Sequence, residues 1–204
     1  MRIADFKKSL TSVNEFIYFD SNDYLREKTS NPLGLKQVIT DSEYLLKIGI
    51  GESDKYFLNG TVGNLYRICG EPQKALDYLN SCLCFAKEEG NITRETVTLI
   101  RLGEALKYDG KHDEAIELFE EAFKKCKDNK LDTYLDFALQ HRGKCLMEMG
   151  RIDEAEKSFI KALKLREFKG DTNLIDSTKK ALELVKRLKT NNYFLNKRCR
   201  LVED

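Results

Sequence analysis

The chain has 204 residues, of which 41% are apolar and 34% are charged, and its formal net charge is +1. This composition is typical of a folded protein, because a disordered chain is poorer in apolar residues and a membrane protein contains long apolar runs. A nearly neutral chain also lacks the overall charge that attracts nucleic acid or an anionic membrane, so electrostatic recognition has to come from local patches.

The cellular location follows from what the sequence lacks. The first ten residues contain no signal-peptide core, and no run approaches the roughly 18 apolar residues that a transmembrane helix needs. We therefore expect a cytoplasmic protein. The six cysteines follow no disulfide-scaffold spacing and read as free thiols. The excess of lysine over arginine and the frequent asparagine favour a bacterial source.

A period of 40 residues organises the chain. Small and apolar residues recur in register, in columns such as Gly63, Gly103, Gly143; Gly70, Gly110, Gly150; and Ala75, Ala115, Ala155. A fixed period of 20 to 50 residues is the signature of a repeat array. The period predicts a solenoid in which each unit repeats one supersecondary element.

In chain order, the period predicts one solenoid over residues 1–190. A short cap at 1–12 precedes a degenerate unit at 14–50, whose first helix is FIYFDSNDYLREK and whose second is NPLGLKQVITDSEYLLK. Clear units follow, and then a capping helix and a flexible tail. Their bounds are 56–90, 96–130, 136–170, 172–190 and 191–204.

Each clear unit reads as two antiparallel helices joined by a short turn. Glycine at the turn can end the first helix in a left-handed conformation, and Pro72 suits the first turn of the next helix. Gly103 and Ala115 lie near the middle of their helices, where small side chains allow two helix backbones to approach closely. These residues therefore indicate architecture, not chemistry.

The pattern resembles the tetratricopeptide repeat, a helix–turn–helix unit of about 34 residues in its commonest form. The elements that carry the resemblance are a small residue, a large apolar residue three positions later, a turn glycine, and then alanine, an aromatic residue and alanine. The 40-residue period is similar to that of kinesin light chain and of bacterial Rap regulators. The resemblance implies an all-α solenoid of helix pairs with a right-handed superhelical twist.

The resemblance also implies that a protein or peptide partner lies in a concave groove lined by the first helices. The family's groove positions fall on Tyr24, Phe57, Asn64, Arg67, Val97, Ile100, Arg101, Glu104, Lys107, Tyr108, Phe137, Gln140, His141 and Lys144. Four of these residues are basic and several are apolar, so we expect an acidic partner segment with apolar anchors. The plainer alternative is that the apolar members belong to the core and the charged members form a solvated face.

No catalytic motif is present, and we expect neither an enzyme nor a metal or cofactor site. The chain has only two histidines, and neither is spaced with a serine or cysteine to form a dyad. Cys82 and Cys84 are two positions apart on a predicted helix, so their side chains diverge and cannot share a metal ion.

The leading hypothesis is a non-catalytic adaptor or regulator, of which a toxin-neutralising immunity protein and a peptide-sensing regulator are special cases. One alternative is a self-associating scaffold or homodimer, in which Leu184 and Leu188 of the capping helix expose an apolar face. Another alternative, which six basic residues support only weakly, is nucleic-acid binding through the segment KRLKTNNYFLNKRCR.

Overall fold

The computed structural model describes the backbone of residues 3–200, and the side chains of that range except residues 9 and 191–200. Helix α1 (Ile3–Ser9) and a 3₁₀ helix (Leu10–Phe16) precede an antiparallel hairpin of β1 (Ile17–Asp20) and β2 (Arg26–Thr29). The helices that follow are α2 (Pro32–Lys47), α3 (Glu52–Ile68), α4 (Pro72–Glu88), α5 (Ile92–Tyr108), α6 (His112–Asp128), α7 (Asp132–Glu148), α8 (Ile152–Lys169) and α9 (Thr172–Arg200).

From α3 to α8, every helix packs against the helix before it and the helix after it, and α9 packs against α8. The first helices of the units, α3, α5 and α7, also contact one another, so they form a continuous inner layer. This arrangement is the all-α solenoid of helix pairs that the 40-residue period predicts. None of the helices within residues 3–200 is long and apolar enough to cross a membrane.

The turn glycines have the conformation that the sequence predicts. Gly70, Gly110 and Gly150 have φ angles of 80°, 79° and 73°, in the left-handed region. A residue with a Cβ atom is strained there, whereas glycine is not. Each of these glycines therefore allows one helix to end and the next helix to begin two residues after the glycine.

The small residues inside the helices also have the predicted role. A Cβ atom at Gly103 would lie 2.6 Å from the ring of Phe119, and one at Gly143 would lie 2.7 Å from the ring of Phe159. Both rings are fully buried. The first helix of each unit thus packs against the second only because glycine leaves room for a large side chain.

The N-terminal unit differs from the prediction at its first helix. Residues 17–29 form the hairpin instead of a helix, and Tyr24 lies in its turn with a φ angle of 51°. The reason is local: the Asp20 carboxylate accepts a hydrogen bond from the Asn22 backbone N–H at 2.9 Å, and the Lys28 ammonium lies 2.8 Å from the same carboxylate. These contacts close a turn, and short polar side chains of this kind favour turns over helix interiors.

The second helix of that unit forms as predicted. Asn31 caps α2, because its side-chain oxygen accepts a hydrogen bond from the Gly34 N–H at 2.9 Å, and Pro32 occupies the first turn. Leu35 and Ile39 of α2 are buried against α3. Helix α1 packs through Phe6 on the opposite end of the same pair.

The last helix is longer and more firmly packed than the sequence predicts. Helix α9 continues to Arg200, ten residues beyond the predicted end of the capping helix, and the remaining residues 201–204 of the predicted tail lie outside the described part of the chain. Leu184 is 7% exposed and Leu188 packs against the same core, so these residues do not form the exposed apolar face that the self-association hypothesis requires.

A buried polar network joins α7, α8 and α9. The guanidinium of Arg166, which is 2% exposed, donates to the fully buried Asp136 carboxylate at 2.7 Å and to the Thr178 hydroxyl at 2.8 Å. The Lys169 ammonium donates to the other oxygen of Asp136 at 2.5 Å. The two charges of the central pair are therefore satisfied, as burial of an ion pair requires.

Candidate functional site

The hairpin lies across the concave face of the solenoid. The backbone N–H of Glu27 donates to the Tyr108 hydroxyl at 2.6 Å, and the same hydroxyl is 3.3 Å from the Glu27 carbonyl oxygen. Leu25 is 8% exposed and belongs to the core cluster of α5 to α9. The groove that the first helices form is thus partly occupied by the chain itself.

Arg26 anchors the hairpin to the ends of α5 and α7. Its guanidinium forms a two-pronged pair with the Glu148 carboxylate, at 2.6 and 3.1 Å, and donates to the Lys107 carbonyl oxygen at 3.3 Å. The guanidinium carbon also lies 4.9 Å from the centroid of the Tyr108 ring. Paired hydrogen bonds of this geometry are among the stronger polar contacts in proteins.

Beneath the hairpin, a network of buried charges connects α3 and α5. Arg67, which is 4% exposed, pairs with Glu27 of the hairpin and lies 3.5 Å from Glu104. Lys107 is fully buried, with its ammonium 2.9 Å from Glu104 and 3.7 Å from Glu148. These two cations, which the sequence places in an open basic stripe, are therefore covered and neutralised by carboxylates of the same chain.

Glu104 is the centre of this network. Burial by itself would raise the pKa of its carboxyl group, but the nearby charges of His141 and Lys107 outweigh burial and hold the pKa well below its usual range. The His141 Nδ1 atom lies 2.9 Å from the Glu104 carboxylate and favours its ionised form. A permanently ionised Glu104 offsets the cations that surround it.

Lys144 lies under the hairpin turn. Among the residues that the structure describes, no carboxylate lies within 4.0 Å of its ammonium group. Its ammonium donates to the Leu25 carbonyl oxygen at 3.1 Å and lies 4.5 Å from the centroid of the Phe19 ring. Burial and the nearby Lys107 charge lower its pKa to about 8. Lys144 is therefore a buried cation that the site tolerates at a cost.

The part of the groove that the hairpin leaves open is a cavity of about 310 Å³ between α3, α5 and α7. Its walls are Glu27, Asn64, Arg67, Val97, Ile100, Arg101, Glu104, Tyr134, Phe137 and His141. The cavity is large enough to hold one or two side chains of a bound segment. Its walls combine an apolar patch with a few charged groups, which is typical of a binding site.

Arg101 differs from the other cations of the groove. It is exposed, and no carboxylate of the described residues lies within 4.0 Å of it. Its Nη1 atom occupies space that is open because Gly60 has no side chain, since a Cβ atom there would lie 2.5 Å away. Arg101 is thus a cation of the cavity that is free to pair with an external anion.

The structure brings most of the predicted groove residues together. Eight of them line the cavity: Asn64, Arg67, Val97, Ile100, Arg101, Glu104, Phe137 and His141. Lys107, Tyr108 and Lys144 lie instead at the contact with the hairpin. Gln140 is 3% exposed, and neither polar atom of its side-chain amide has a hydrogen-bond partner in the described residues.

Two predicted positions lie elsewhere. Tyr24 is in the turn of the hairpin and 37% exposed, and Phe57 packs beside the core pair of Phe6 and Leu58, at the end of the solenoid near α1. Two cavity residues are absent from the predicted set: Glu27, which belongs to the hairpin, and Tyr134. Tyr134 lies three positions before Phe137 on α7, so helical spacing alone could have indicated it.

No metal site accompanies the cavity. In the portion of the chain with described side chains, no three His, Cys, Asp or Glu residues converge in a way that could hold a metal ion. The cysteines of that portion are all free thiols.

Comparison with known proteins gives matches to one family and one fold. Two models of the tetratricopeptide repeat match the chain, one over residues 57–128 and the other over residues 138–169. A sequence search of curated proteins finds no match.

Three solved structures illustrate the shared fold. Aspartyl phosphate phosphatase F from Bacillus subtilis has a TM-score of 0.69 and 16% identity, and the match covers 94% of this chain and 46% of that one. A Rap protein complexed with Competence and Sporulation Factor has a TM-score of 0.66 and 14% identity, with 83% and 47% covered. The TPR-like repeats of a Podosopora anserina protein described as a kinesin light chain have a TM-score of 0.56 and 12% identity, with 83% and 82% covered. The chain thus spans less than half the length of the first two of these structures.

Proposed function

Because the chain belongs to the tetratricopeptide repeat family, we propose that it is a non-catalytic adaptor or regulator whose concave groove binds a segment of a partner protein or a peptide. A role in protein interaction follows from the repeats themselves. The finer assignment, to the cavity between α3, α5 and α7, rests on one observation. That observation is the exposed and unpaired guanidinium of Arg101 beside an apolar wall.

The chemistry of the cavity selects an anionic segment with an apolar anchor. Val97, Ile100 and Phe137 supply the apolar wall, and Arg101 supplies a charge that has no internal partner among the described residues. The other charges of the walls are already paired, so an added cation would find no free carboxylate, whereas an added carboxylate would find Arg101. Planar guanidinium groups bind carboxylates in a two-pronged geometry, which adds orientation to affinity.

A binding role without catalysis agrees with the composition of the cavity. No serine, threonine or cysteine lines it, and its histidine is held against Glu104. One structural neighbour has the name of a phosphatase, but at 16% identity the likeness concerns the fold and not the chemistry. Another neighbour holds a bound factor, which supports the use of this fold for binding. We further propose a cytoplasmic location.

The test is selection of random twelve-residue peptides on the full chain, followed by affinity measurements on charge-reversed variants. We expect the selected peptides to contain an acidic residue near a large apolar one. Arg101→Glu should weaken their binding by roughly tenfold or more, which exceeds the 0 to about 1 kcal/mol of an ordinary surface ion pair.

Lys124→Glu is the matched control. Lys124 is an exposed residue of α6, outside the cavity, and its reversal changes the net charge by the same amount. Its binding should stay close to that of the parent at the same ionic strength. Equal losses from both variants, or no loss from Arg101→Glu, would remove the cavity as the binding site.

A further inference from the structure

The hairpin is attached to the groove mainly by polar contacts. Three of its large side chains, Tyr18, Phe19 and Tyr24, are 48%, 51% and 37% exposed. Leu25 is buried in the core, and Ile17 packs partly buried against the cluster of α2 and α3. A hairpin that served only to complete the core would bury its aromatic side chains, because their burial is the main source of stability available to it.

The contacts of β2, and of Leu25 in the turn just before it, have the form of a bound peptide segment. The outer edge of β2 meets Tyr108 through the backbone N–H and C=O of Glu27. Three successive residues then each meet a separate group of the solenoid. The Leu25 carbonyl oxygen accepts from Lys144, the Arg26 side chain pairs with Glu148, and the Glu27 side chain pairs with Arg67.

The surface beneath the hairpin is charged and buried. Glu104 lies 2.9 Å from the Lys107 ammonium and 3.5 Å from the Arg67 guanidinium, so these charges are paired with one another. Removing such pairs from water costs free energy that their attraction largely cancels, so the contact gains little from the exclusion of water. Its polar character makes exchange with water or with another ligand less costly than the opening of an apolar core.

We propose that the groove contains a second binding site and that residues 17–29 are its internal occupant. A peptide with apolar, basic and acidic side chains in succession, as in Leu25, Arg26 and Glu27, displaces them. The site rests on the groove being a binding surface, as proposed above, but it uses different contacts. The specificity of this site comes from Tyr108, which contacts the backbone of the bound peptide, and from Glu148 and Arg67, which pair with its basic and acidic side chains. Because Glu27 also lines the open cavity, displacement of the hairpin would join the two sites into one longer groove.

A labelled synthetic peptide with the sequence of residues 16–30 tests this proposal on the full chain. In the double variant Arg26→Ala with Glu27→Ala, the internal hairpin loses both side-chain pairs, whereas Glu148, Arg67 and Tyr108 remain. We expect this variant to bind the peptide roughly tenfold or more tightly than the parent does, measured by fluorescence anisotropy. The same peptide with Arg and Glu exchanged should not bind.

Matched controls separate the proposal from its rivals. Glu71→Ala with Lys74→Ala removes an ion pair at the start of α4, away from the hairpin, and should leave peptide binding as weak as in the parent. When Arg101→Glu is added to Arg26→Ala with Glu27→Ala, the peptide of residues 16–30 should still bind. An error in the proposal for the cavity and an error in the proposal for this second site therefore give different results. A hairpin variant that binds no peptide, or that binds both peptides equally, would overturn the proposal.

Hydrogen exchange of the parent gives a test that does not depend on any variant folding. If the hairpin opens independently, amides of residues 17–29 should exchange faster than amides in the middle of α5 and α7. Equal protection of the hairpin and these helices would mean that the hairpin opens only when the solenoid unfolds. The hairpin would then be an integral part of the core and not a displaceable occupant.

Discussion

Replacement of Gly103 by alanine should destabilise the solenoid, although alanine favours helix. In the middle of a helix, alanine is more stable than glycine by about 0.5 to 1 kcal/mol. Opposing this gain, the added Cβ atom would lie 2.6 Å from a ring carbon of Phe119, about 1 Å closer than an ordinary contact between carbon atoms. The Phe119 ring is fully buried and cannot turn away into solvent.

The size of the loss follows from these two opposing terms. Overpacking of a core costs about 1 to 3 kcal/mol, so the net loss of unfolding free energy should be about 1 to 2 kcal/mol. For a chain of this length, 1 kcal/mol corresponds to about 2 to 4 °C, so the Tm should fall by about 2 to 8 °C. Gly103→Leu should lose more, because the longer side chain has to displace the ring entirely.

Gly60→Ala is the control for this prediction. Gly60 is also inside a first helix, and a Cβ atom there would lie 2.5 Å from Arg101 Nη1, which is the far end of a flexible, exposed side chain. Since Arg101 can move, the control should be as stable as the parent or more stable by up to about 1 kcal/mol. Circular dichroism at 222 nm, followed during heating and in urea, measures the stability of the parent and of the three variants. If the Tm of Gly103→Ala equals or exceeds that of the parent, close packing against Phe119 does not explain why small residues recur every 40 positions in this chain.

Three further predictions concern buried groups. The pKa of Lys144 is about 8 in the folded state and about 10.4 in an unfolded chain, so the unfolded state binds more protons between these pH values. Lys144 should therefore raise the unfolding free energy as the pH increases through that range. In urea titrations, Lys144→Met should show a rise that is smaller by about 1 to 3 kcal/mol. Asp136→Ala should cost about 3 to 5 kcal/mol in the same titrations, since it leaves Arg166 buried without its counter-charge, and a loss below about 1 kcal/mol would contradict the importance of this pair. Mass spectrometry after brief iodoacetamide treatment should find Cys84 modified before Cys82. Cys84 is exposed, whereas burial raises the pKa of the Cys82 thiol to about 11. The reverse order of modification would mean that this part of the solenoid opens readily.

The repeat could be predicted from the sequence because its causes are local. A turn glycine such as Gly110 and a small helix residue such as Gly103 act within one unit, and their period of 40 residues repeats the same packing. Most cavity residues could be predicted for the same reason, since they occupy equivalent positions on successive first helices. Tyr134 belongs to the same face, because it lies one helical turn before Phe137, and this spacing is sufficient to predict it.

The hairpin could not be predicted by extending the period toward the N-terminus. Its turn depends on Asp20 and its short-range contacts, which the clear units do not contain. Its position depends on pairs that are far apart in sequence, such as Arg26 with Glu148 and Leu25 with Lys144, separated by 122 and 119 residues. Local periodicity carries no information about such contacts, so the occupied groove becomes visible only in the structure.

The charges of the groove show why a list of cations is a weak guide to a ligand. The sequence places Arg67, Arg101, Lys107 and Lys144 on one face, and this placement predicts an open basic stripe. In the folded chain, Arg67 and Lys107 are neutralised by internal carboxylates and Lys144 is covered by the hairpin. An external anion gains free energy only where it meets a charge that has no internal partner, because an ion already paired must first give up that pair. Arg101 meets this condition while the hairpin is docked. Arg67 would lose one of its two carboxylate partners once Glu27 has left, and would keep only Glu104 at 3.5 Å. Binding to the cavity and displacement of the hairpin should therefore be coupled through Glu27, so that an acidic segment able to reach Arg67 favours the open groove.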